Sequence, residues 1–362
     1  MNRAGPVALV LAAASLLTCR SDDRDAAGPG AAAGSSPAPA AAPARSPRRS
    51  PRPLSGEEAR ELEDALRQLG AGRYDEARAS LERIARATGD RKALAYLGEI
   101  YRRQRSYRAG RATFESLSDL LDEPEATFLA GFFAAELGDR DAAVARYRQA
   151  LASDPQHRQS LRHLGTWGLA TGRVTEALAE IEPTARQLQP PDPTLQNVIG
   201  LLLRKSGRLD DAVAAFETGL RYAPDRRSTM LRTNLGRALA DLNRLDEAAG
   251  HLEAVLATDP DQLIALYALA NVRFRQGRRE QGQALMVRFQ EQQRLLDELT
   301  FEIQNLSYYP EEPSILVRVG KLYERRGEPD KAATYYRRAL ARAPDDPEAR
   351  QALERLGGVA AP

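Results

Sequence analysis

Side chains able to carry out catalysis or bind metal are few in this 362-residue sequence, and they are scattered. The histidines are His157, His163 and His251. None has a cysteine or carboxylate companion at the spacing of a metal site, so we expect each to be a surface or half-buried residue. No nucleophile motif, phosphate-binding glycine loop or paired-histidine zinc motif is present. The sequence therefore predicts no catalytic residue, no metal site and no cofactor.

Cys19 is the only cysteine, and it follows an apolar run from Val7 to Leu17 with Arg3 before it. A run of about a dozen residues is too short for a comfortable membrane span and suits a secretory signal peptide. Its end, Leu-Leu-Thr-Cys at 16–19, resembles the lipobox of bacterial lipoproteins. That resemblance implies a signal peptide over 1–18 and lipid attachment at Cys19, although Thr18 departs from the usual Gly, Ala or Ser. Ordinary secretion and a retained membrane anchor are the alternatives.

The residue after the cysteine bears on the destination of such a lipoprotein. An Asp there can hold lipoproteins of this type at the inner membrane, whereas this chain has Arg20. The resemblance therefore favours an outer-membrane protein that faces the periplasm.

Residues 19–56 are expected to form a disordered tether. The segment is rich in Ala, Pro, Gly and Ser and has almost no apolar bulk, so it cannot offset its ordering entropy by burial. Arginines 45, 48, 49 and 52 near its end could contact anionic lipid or cell-wall polymer. We favour the simpler interpretation that they only keep the linker soluble.

A two-helix pattern repeats through the rest of the chain. It is clearest over 193–225, where Gly207 is expected to end a first helix with a positive φ and Pro224 to end a second. In between, apolar residues surround Gly200 in the first helix, and Phe216 is expected to be buried in the second. Eight such units start near residues 58, 91, 124, 158, 193, 229, 263 and 313. A period near 34 predicts a helical solenoid.

These units resemble the tetratricopeptide repeat (TPR), with pattern W-x2-L-G-x2-Y, then A-x3-F, then P. The first helices carry Leu97-Gly98-Tyr101 and Val319-Gly320-Tyr323, and one second helix carries Ala212 with Phe216. No unit keeps the family's tryptophan. The resemblance covers about 57–346 and implies an all-α, right-handed superhelical solenoid of about eight helix-turn-helix units. Residues 347–362 are expected to form a capping helix and tail.

Unit seven departs from the pattern. No Gly or Pro interrupts the chain between Gly282 and Pro310, which predicts one long helix over about 280–306. Its apolar stripe is Leu285, Phe289, Leu296, Leu299, Ile303 and Leu306. We expect this stripe to pack on the protein's own solenoid. The alternative is a seam over 285–306 for a second copy or a partner.

The resemblance also implies a concave groove lined by the first helices. Its polar positions hold Arg102, Arg103, Arg162, Asn197, Arg204, Lys205, Arg237, Asn271 and Arg275. Such donors can bind carboxylates, which predicts a basic groove for an acidic or extended peptide; a solvated surface is the alternative. Phe128 and Phe132 fall on the same side, where they indicate either core or a pocket.

The net charge of +2, from 52 Lys+Arg against 50 Asp+Glu, argues against a nucleic-acid-binding domain. Together these features predict a non-enzymatic, lipid-anchored adaptor for protein or peptide partners in envelope assembly, secretion or pilus biogenesis. A structural or self-assembling spacer is one alternative. A secreted or cytoplasmic repeat protein without a lipid anchor is another.

Overall fold

The structure, a computed structural model, describes residues 48–357, except for the side chains of residues 225–227. The predictions made for residues 1–47 lie outside this range. They comprise the signal peptide, lipid attachment at Cys19 and most of the tether. Within the described range the chain forms seventeen α-helices that pack in consecutive pairs. The all-α array of helix pairs predicted from the sequence is confirmed.

Each pair has a first and a second helix. The first helices are α1 Gly56–Gly70, α3 Arg91–Arg103, α5 Pro124–Glu136, α7 Arg158–Thr171, α9 Pro193–Lys205, α11 Asp225–Asp241, α13 Leu263–Arg275 and α15 Pro313–Arg325. The second helices are α2 Tyr74–Thr88, α4 Tyr107–Leu120, α6 Arg140–Ser153, α8 Val174–Gln187, α10 Leu209–Tyr222, α12 Leu245–Thr258, α14 Arg279–Tyr308 and α16 Pro329–Arg342. Helix α17, Pro347–Arg355, follows the last pair.

Two glycines explain the turn between the helices of one pair and their close packing. Gly207 has φ +83°, a left-handed conformation that turns the chain between α9 and α10. Gly200 lies under the buried ring of Phe216, and a Cβ added there would be 2.5 Å from Phe216 Cε1. The small residue therefore lets the two helices of this pair approach closely.

Within residues 48–357, the buried apolar residues form two separate clusters. The first core runs from Leu62 on α1 to Val272 on α13, and it includes a contact from Leu285 on α14. The second core unites Leu295 and Leu299 of α14 with residues of α15, α16 and α17. Helix α14 is thus the one element that contributes to both cores, with its first half in one and its second half in the other.

Most of the apolar stripe predicted on α14 packs against other helices of the same chain. Leu299, Ile303 and Leu306 pack in the second core, and Leu285 packs on the first. The Phe289 ring lies 5.3 Å from that of Tyr267 on α13. This stripe is therefore occupied by the protein's own helices and does not form an open seam.

Residues 48–55 differ from the tether expected there, because they lie against the first two units. The amide of Arg49 donates to Leu120 O, and Arg49 O accepts from the amide of Asp122, each at 2.9 Å. The amide of Arg52 donates to Thr88 O, also at 2.9 Å. Carbonyls at a helix end lack partners within the helix. This segment supplies donors to the ends of α2 and α4, so it is ordered.

Two arginines of the basic cluster have partners within the fold. The Arg52 guanidinium pairs with the Glu58 carboxylate at 2.5 Å, and Arg49 Nη2 donates to Arg86 O at 3.2 Å. Among residues 48–357, no helix has both the length and the apolar composition needed to cross a membrane.

Candidate protein-binding surface

The polar residues predicted for the groove lie along successive first helices, and we call this set the first-helix surface. It comprises Arg102, Arg103, Arg162, Asn197, Arg204, Lys205, Arg237, Asn271 and Arg275. Several of them join one first helix to the next. Arg204 Nε on α9 contacts Asp241 Oδ2 on α11 at 2.5 Å, and Lys205 Nζ donates to Leu169 O on α7 at 3.2 Å. These contacts join the first helices of units four to six.

The arginines of unit two have a nearby counter-charge. Arg102 and Arg103 both contact the Glu99 carboxylate, at 2.7 and 2.5 Å. Hydrogen bonding from these arginines lowers the pKa of Glu99, although its partial burial acts in the opposite direction as the largest single influence. This end of the first-helix surface therefore has less unpaired positive charge than the sequence indicated.

Three further residues are held by hydrogen bonds to main-chain carbonyls. Arg162 Nε donates to Arg158 O, Asn271 Nδ2 to Tyr267 O, and Arg275 Nη1 to Ala240 O. Such bonds fix the side chains but leave the arginine charges without a carboxylate partner.

Arg237 on α11 differs from the other arginines of the first-helix surface in its hydrogen bonding. It is half-buried, and no hydrogen bond or ion pair to it is found within the described part of the chain. Burial lowers its pKa, as does the neighbouring Arg204, while Asp241 acts in the opposite direction. A partly desolvated guanidinium without a bonded partner is a place where an anion would be stabilised.

A buried amide pair lies on the same two helices. Asn234 Nδ2 on α11 donates to Asn197 Oδ1 on α9 at 2.8 Å, and both residues are buried. The repeat pattern indicated Asn197 as a site residue but not Asn234. A polar residue within the apolar stripe of α11 was the available signal.

Exposed apolar side chains accompany these polar groups. Met230 on α11 and Ile264 and Tyr267 on α13 are each about half exposed. Their exposure was not predicted from the sequence, because apolar residues on an amphipathic helix are normally assigned to the core. Units six and seven therefore carry exposed apolar side chains on α11, the helix that also carries Arg237, and on α13.

Phe128 and Phe132 belong to a packed aromatic cluster. Phe128 is buried, Phe132 is half-buried, and their rings lie 5.1 and 6.0 Å from that of His163. The Phe128 ring is also 5.7 Å from that of Tyr147. Of the two interpretations left open by the sequence, these contacts favour core over an open pocket.

His157 corrects the expectation that every histidine would be at the surface or half-buried. It is 6% exposed, its Nδ1 accepts from the Ser160 amide at the start of α7, and its Nε2 lies 3.1 Å from Glu125 Oε2. It is buried because it caps a helix and bonds to the preceding unit. Within residues 48–357, no group of three or more histidine, cysteine or acidic side chains is placed to hold a metal ion.

Comparisons with known proteins agree on the repeat. Models described as tetratricopeptide repeat match residues 62–120, 134–193, 203–262 and 313–356. No match was found among curated proteins.

Three solved structures illustrate the likeness. YrrB, described as a TPR protein with an unusual peptide-binding site, is 17% identical, with 66% of this chain and 96% of YrrB covered and a TM-score of 0.37. The C-terminal part of a TPR protein from Cytophaga hutchinsonii is 13% identical, with 81% and 99% covered and a TM-score of 0.42. Pseudomonas aeruginosa pilF is 14% identical, with 73% and 97% covered and a TM-score of 0.33.

The matches to the repeat models together cover more than half of the chain. Each matched range falls on the helix pairs described above. Repeats of this kind typically form non-catalytic scaffolds that bind other proteins or peptides. The chain belongs to the tetratricopeptide repeat family.

Proposed function

We propose that this protein is a lipid-anchored adaptor at the bacterial outer membrane, facing the periplasm. Its first-helix surface in units five to seven would bind an acidic or extended peptide of a partner in envelope assembly, secretion or pilus biogenesis. Support for the anchor comes from the lipobox-like sequence around Cys19. Support for the binding surface comes from the arrangement around Arg237.

The observation that carries the peptide proposal is the half-buried, unbonded guanidinium of Arg237. A carboxylate placed beside it would provide the missing hydrogen bonds in a partly dehydrated setting, where charge-assisted bonds are strongest. Arg204 is already paired with Asp241. It would therefore affect the electrostatic potential at this position and leave Arg237 as the principal anion contact.

The surroundings define the rest of the ligand. Met230, Ile264 and Tyr267 are exposed on α11 and α13, and they would pack against apolar side chains of the peptide. The Asn197–Asn234 pair braces the two helices on which the site is built. An extended peptide with alternating acidic and apolar residues satisfies both features.

Fluorescence anisotropy tests the peptide proposal with defined probes. The first probe is a labelled octapeptide that alternates aspartate and leucine and ends in a free carboxylate; the second replaces aspartate by lysine. We expect the acidic probe to bind, and Arg237→Glu to weaken its binding at least about tenfold, since a lost charge-assisted contact costs about 1.5–3 kcal/mol and the new charge repels the probe. The matched control is Arg221→Glu on the exposed side of α10. Equal binding of both probes, or an unchanged affinity in Arg237→Glu and in Arg162→Glu with Arg204→Glu, would refute the proposal.

Membrane fractionation tests the anchor separately. The native chain should sediment with the outer membrane, and Cys19→Ala should not. If both chains remain soluble, the anchor proposal fails and the protein is secreted or cytoplasmic; peptide binding is unaffected by that result. Crosslinked pull-down from the same fractions would recover only the protein itself if it is a spacer.

A further inference from the structure

Helix α14 exposes a second stripe that the fold does not use. Val287, Arg294, Phe301 and Tyr308 follow one another at seven-residue intervals, which returns each to nearly the same side of an α-helix. The apolar members are 52%, 62% and 71% exposed, and Arg294 is exposed as well. We call these four residues the outer stripe.

The two ends of the outer stripe have complementary shapes. At the start of α14 an open pocket of about 740 Å³ is lined by residues of α13 and α14. Its lining is Phe274, Arg279, Glu280, Gln283, Ala284 and Val287. At the other end of the helix, Tyr308 and Tyr309 project with 71% and 65% exposure. Val287 and Tyr308 are 21 residues apart, about 32 Å along the helix.

The pocket is open because of the length of α14. In the preceding unit the matching side of α12 is covered by α13, where Arg273 contacts Glu253 and Gln276 Nε2 donates to Asp246 Oδ1 at 2.8 Å. On α14, the following helix α15 packs further along, with Arg325 contacting Glu298 at 3.3 Å and Arg318 contacting Glu302 at 2.7 Å. The first half of α14 is therefore left without the helix that would normally cover it.

The positions of the pocket and the tyrosines favour one orientation for a second copy. They lie at opposite ends of the same helix, so antiparallel pairing brings the tyrosines of each copy to the pocket of the other, and parallel pairing does not. Charge does not set the orientation, because Glu298 and Glu302 are paired with Arg325 and Arg318 within the chain. A two-fold axis near residues 297–298 then sets Val287 opposite Tyr308 and Arg294 opposite Phe301, which also permits a cation–π contact.

We propose that two copies of this chain associate through their outer stripes, with α14 antiparallel to α14. Tyr308 and Tyr309 of each copy fill the pocket beside Val287 of the other, so one self-complementary surface forms the whole contact. This stripe is distinct from Leu299, Ile303 and Leu306, which belong to the second core. The proposal is independent of what the first-helix surface binds.

Sedimentation equilibrium of the full chain carrying Cys19→Ser tests the association. We expect a dimer, and Val287→Lys or Tyr308→Glu should raise the dissociation constant at least about tenfold. Tyr222→Glu, a similarly exposed apolar residue on α10, is the control and should leave the dimer intact. A monomer at all concentrations would overturn the proposal, as would a dimer unaffected by both stripe variants.

Mixing the two variants tests the antiparallel geometry. A Val287→Lys chain paired with a Tyr308→Glu chain has one native contact and one lysine–glutamate pair, whereas each variant alone has two mismatched contacts. We expect the mixture to recover association that neither variant shows alone. Both substituted side chains are exposed, so we expect α14 to stay folded and circular dichroism to match that of the native chain. Failure of the mixture to associate would rule out this geometry.

Discussion

At the scale of single residues, burial changes the protonation of a histidine on α7. His163 lies among aromatic rings, with the Phe128 ring 5.1 Å and the Tyr147 ring 5.2 Å away. Burial, with a smaller contribution from Arg162, lowers the pKa of His163 from 6.5 to about 4. The folded protein therefore holds this imidazole neutral at pH values where the unfolded chain protonates it.

This shift predicts how stability depends on pH. Between pH 6.5 and about 4 the unfolded state binds the proton that the native state excludes, so the free energy of unfolding should fall as pH is lowered through that range. We expect a contribution on the order of 1–2 kcal/mol, since the ring is only partly shielded from solvent. His163→Phe should keep the ring packing and remove this contribution. Urea denaturation of both proteins at pH 7 and pH 4 checks it, and parallel stability curves would contradict it.

Several residue-scale features could not be obtained from the sequence. The burial of His157 is one of them, because its partner Glu125 is one full unit away in the sequence. Asn234 is likewise paired with a residue one unit earlier, and Arg237 is notable for lacking a bonded partner. Contacts between successive units depend on how the helices pack, which helix periodicity does not specify.

At the scale of elements, residues 48–55 act as an edge strip rather than a linker. The amides of Arg49 and Arg52 satisfy carbonyls at the ends of α4 and α2. The composition predicted a disordered tether here, because composition does not show that residues 48–55 find acceptors at the ends of folded helices. The length of α14, by contrast, was predictable, because no glycine or proline interrupts it before Pro310.

The strip makes a testable prediction about hydrogen exchange. The amides of Arg49, Arg52 and Asp122 should be protected, because each donates to a carbonyl at 2.9 Å. Arg52→Pro removes one donor and should raise exchange at Arg49 and Asp122, measured by mass spectrometry of peptic fragments.

Arg52→Ala is the matched control for this prediction. It keeps the hydrogen bond from the amide of residue 52 to Thr88 O but loses the ion pair with Glu58. Protection of the Arg49 amide should therefore be largely retained. Exchange of the Arg49 amide at the rate of an unstructured peptide in the native chain would contradict the arrangement.

At the scale of the whole molecule, the period near 34 residues was sufficient to predict the helix pairs over most of the described chain. The division of the buried residues into two cores was not predictable in that way. It depends on which side of α14 meets α15, and hence on where Leu295 and Leu299 point. A single helix joins the two cores, so stability need not be shared equally along the array.

Two cores predict two separable unfolding transitions. Leu295→Ala leaves a cavity in the second core and should lower its stability by about 2–5 kcal/mol. It should have little effect on residues before α14. Leu252→Ala, buried in the first core on α12, is the counterpart and should act on the other transition. Hydrogen exchange along a urea series resolves the two; a single transition shifted equally by both substitutions would argue that the array unfolds as one unit.

The strip at 48–55 also determines how the array would respond to tension on its N-terminal side. A pull on residue 48 would load the two hydrogen bonds of Arg49 before it reached α1. Arg49 forms an isolated parallel β-bridge with Leu121. A pull along the strip would therefore load both hydrogen bonds in shear at once, whereas a pull away from the surface would break them one at a time. The first two units would thus share the load between α2 and α4, and the protein would resist force most strongly along the direction of the strip.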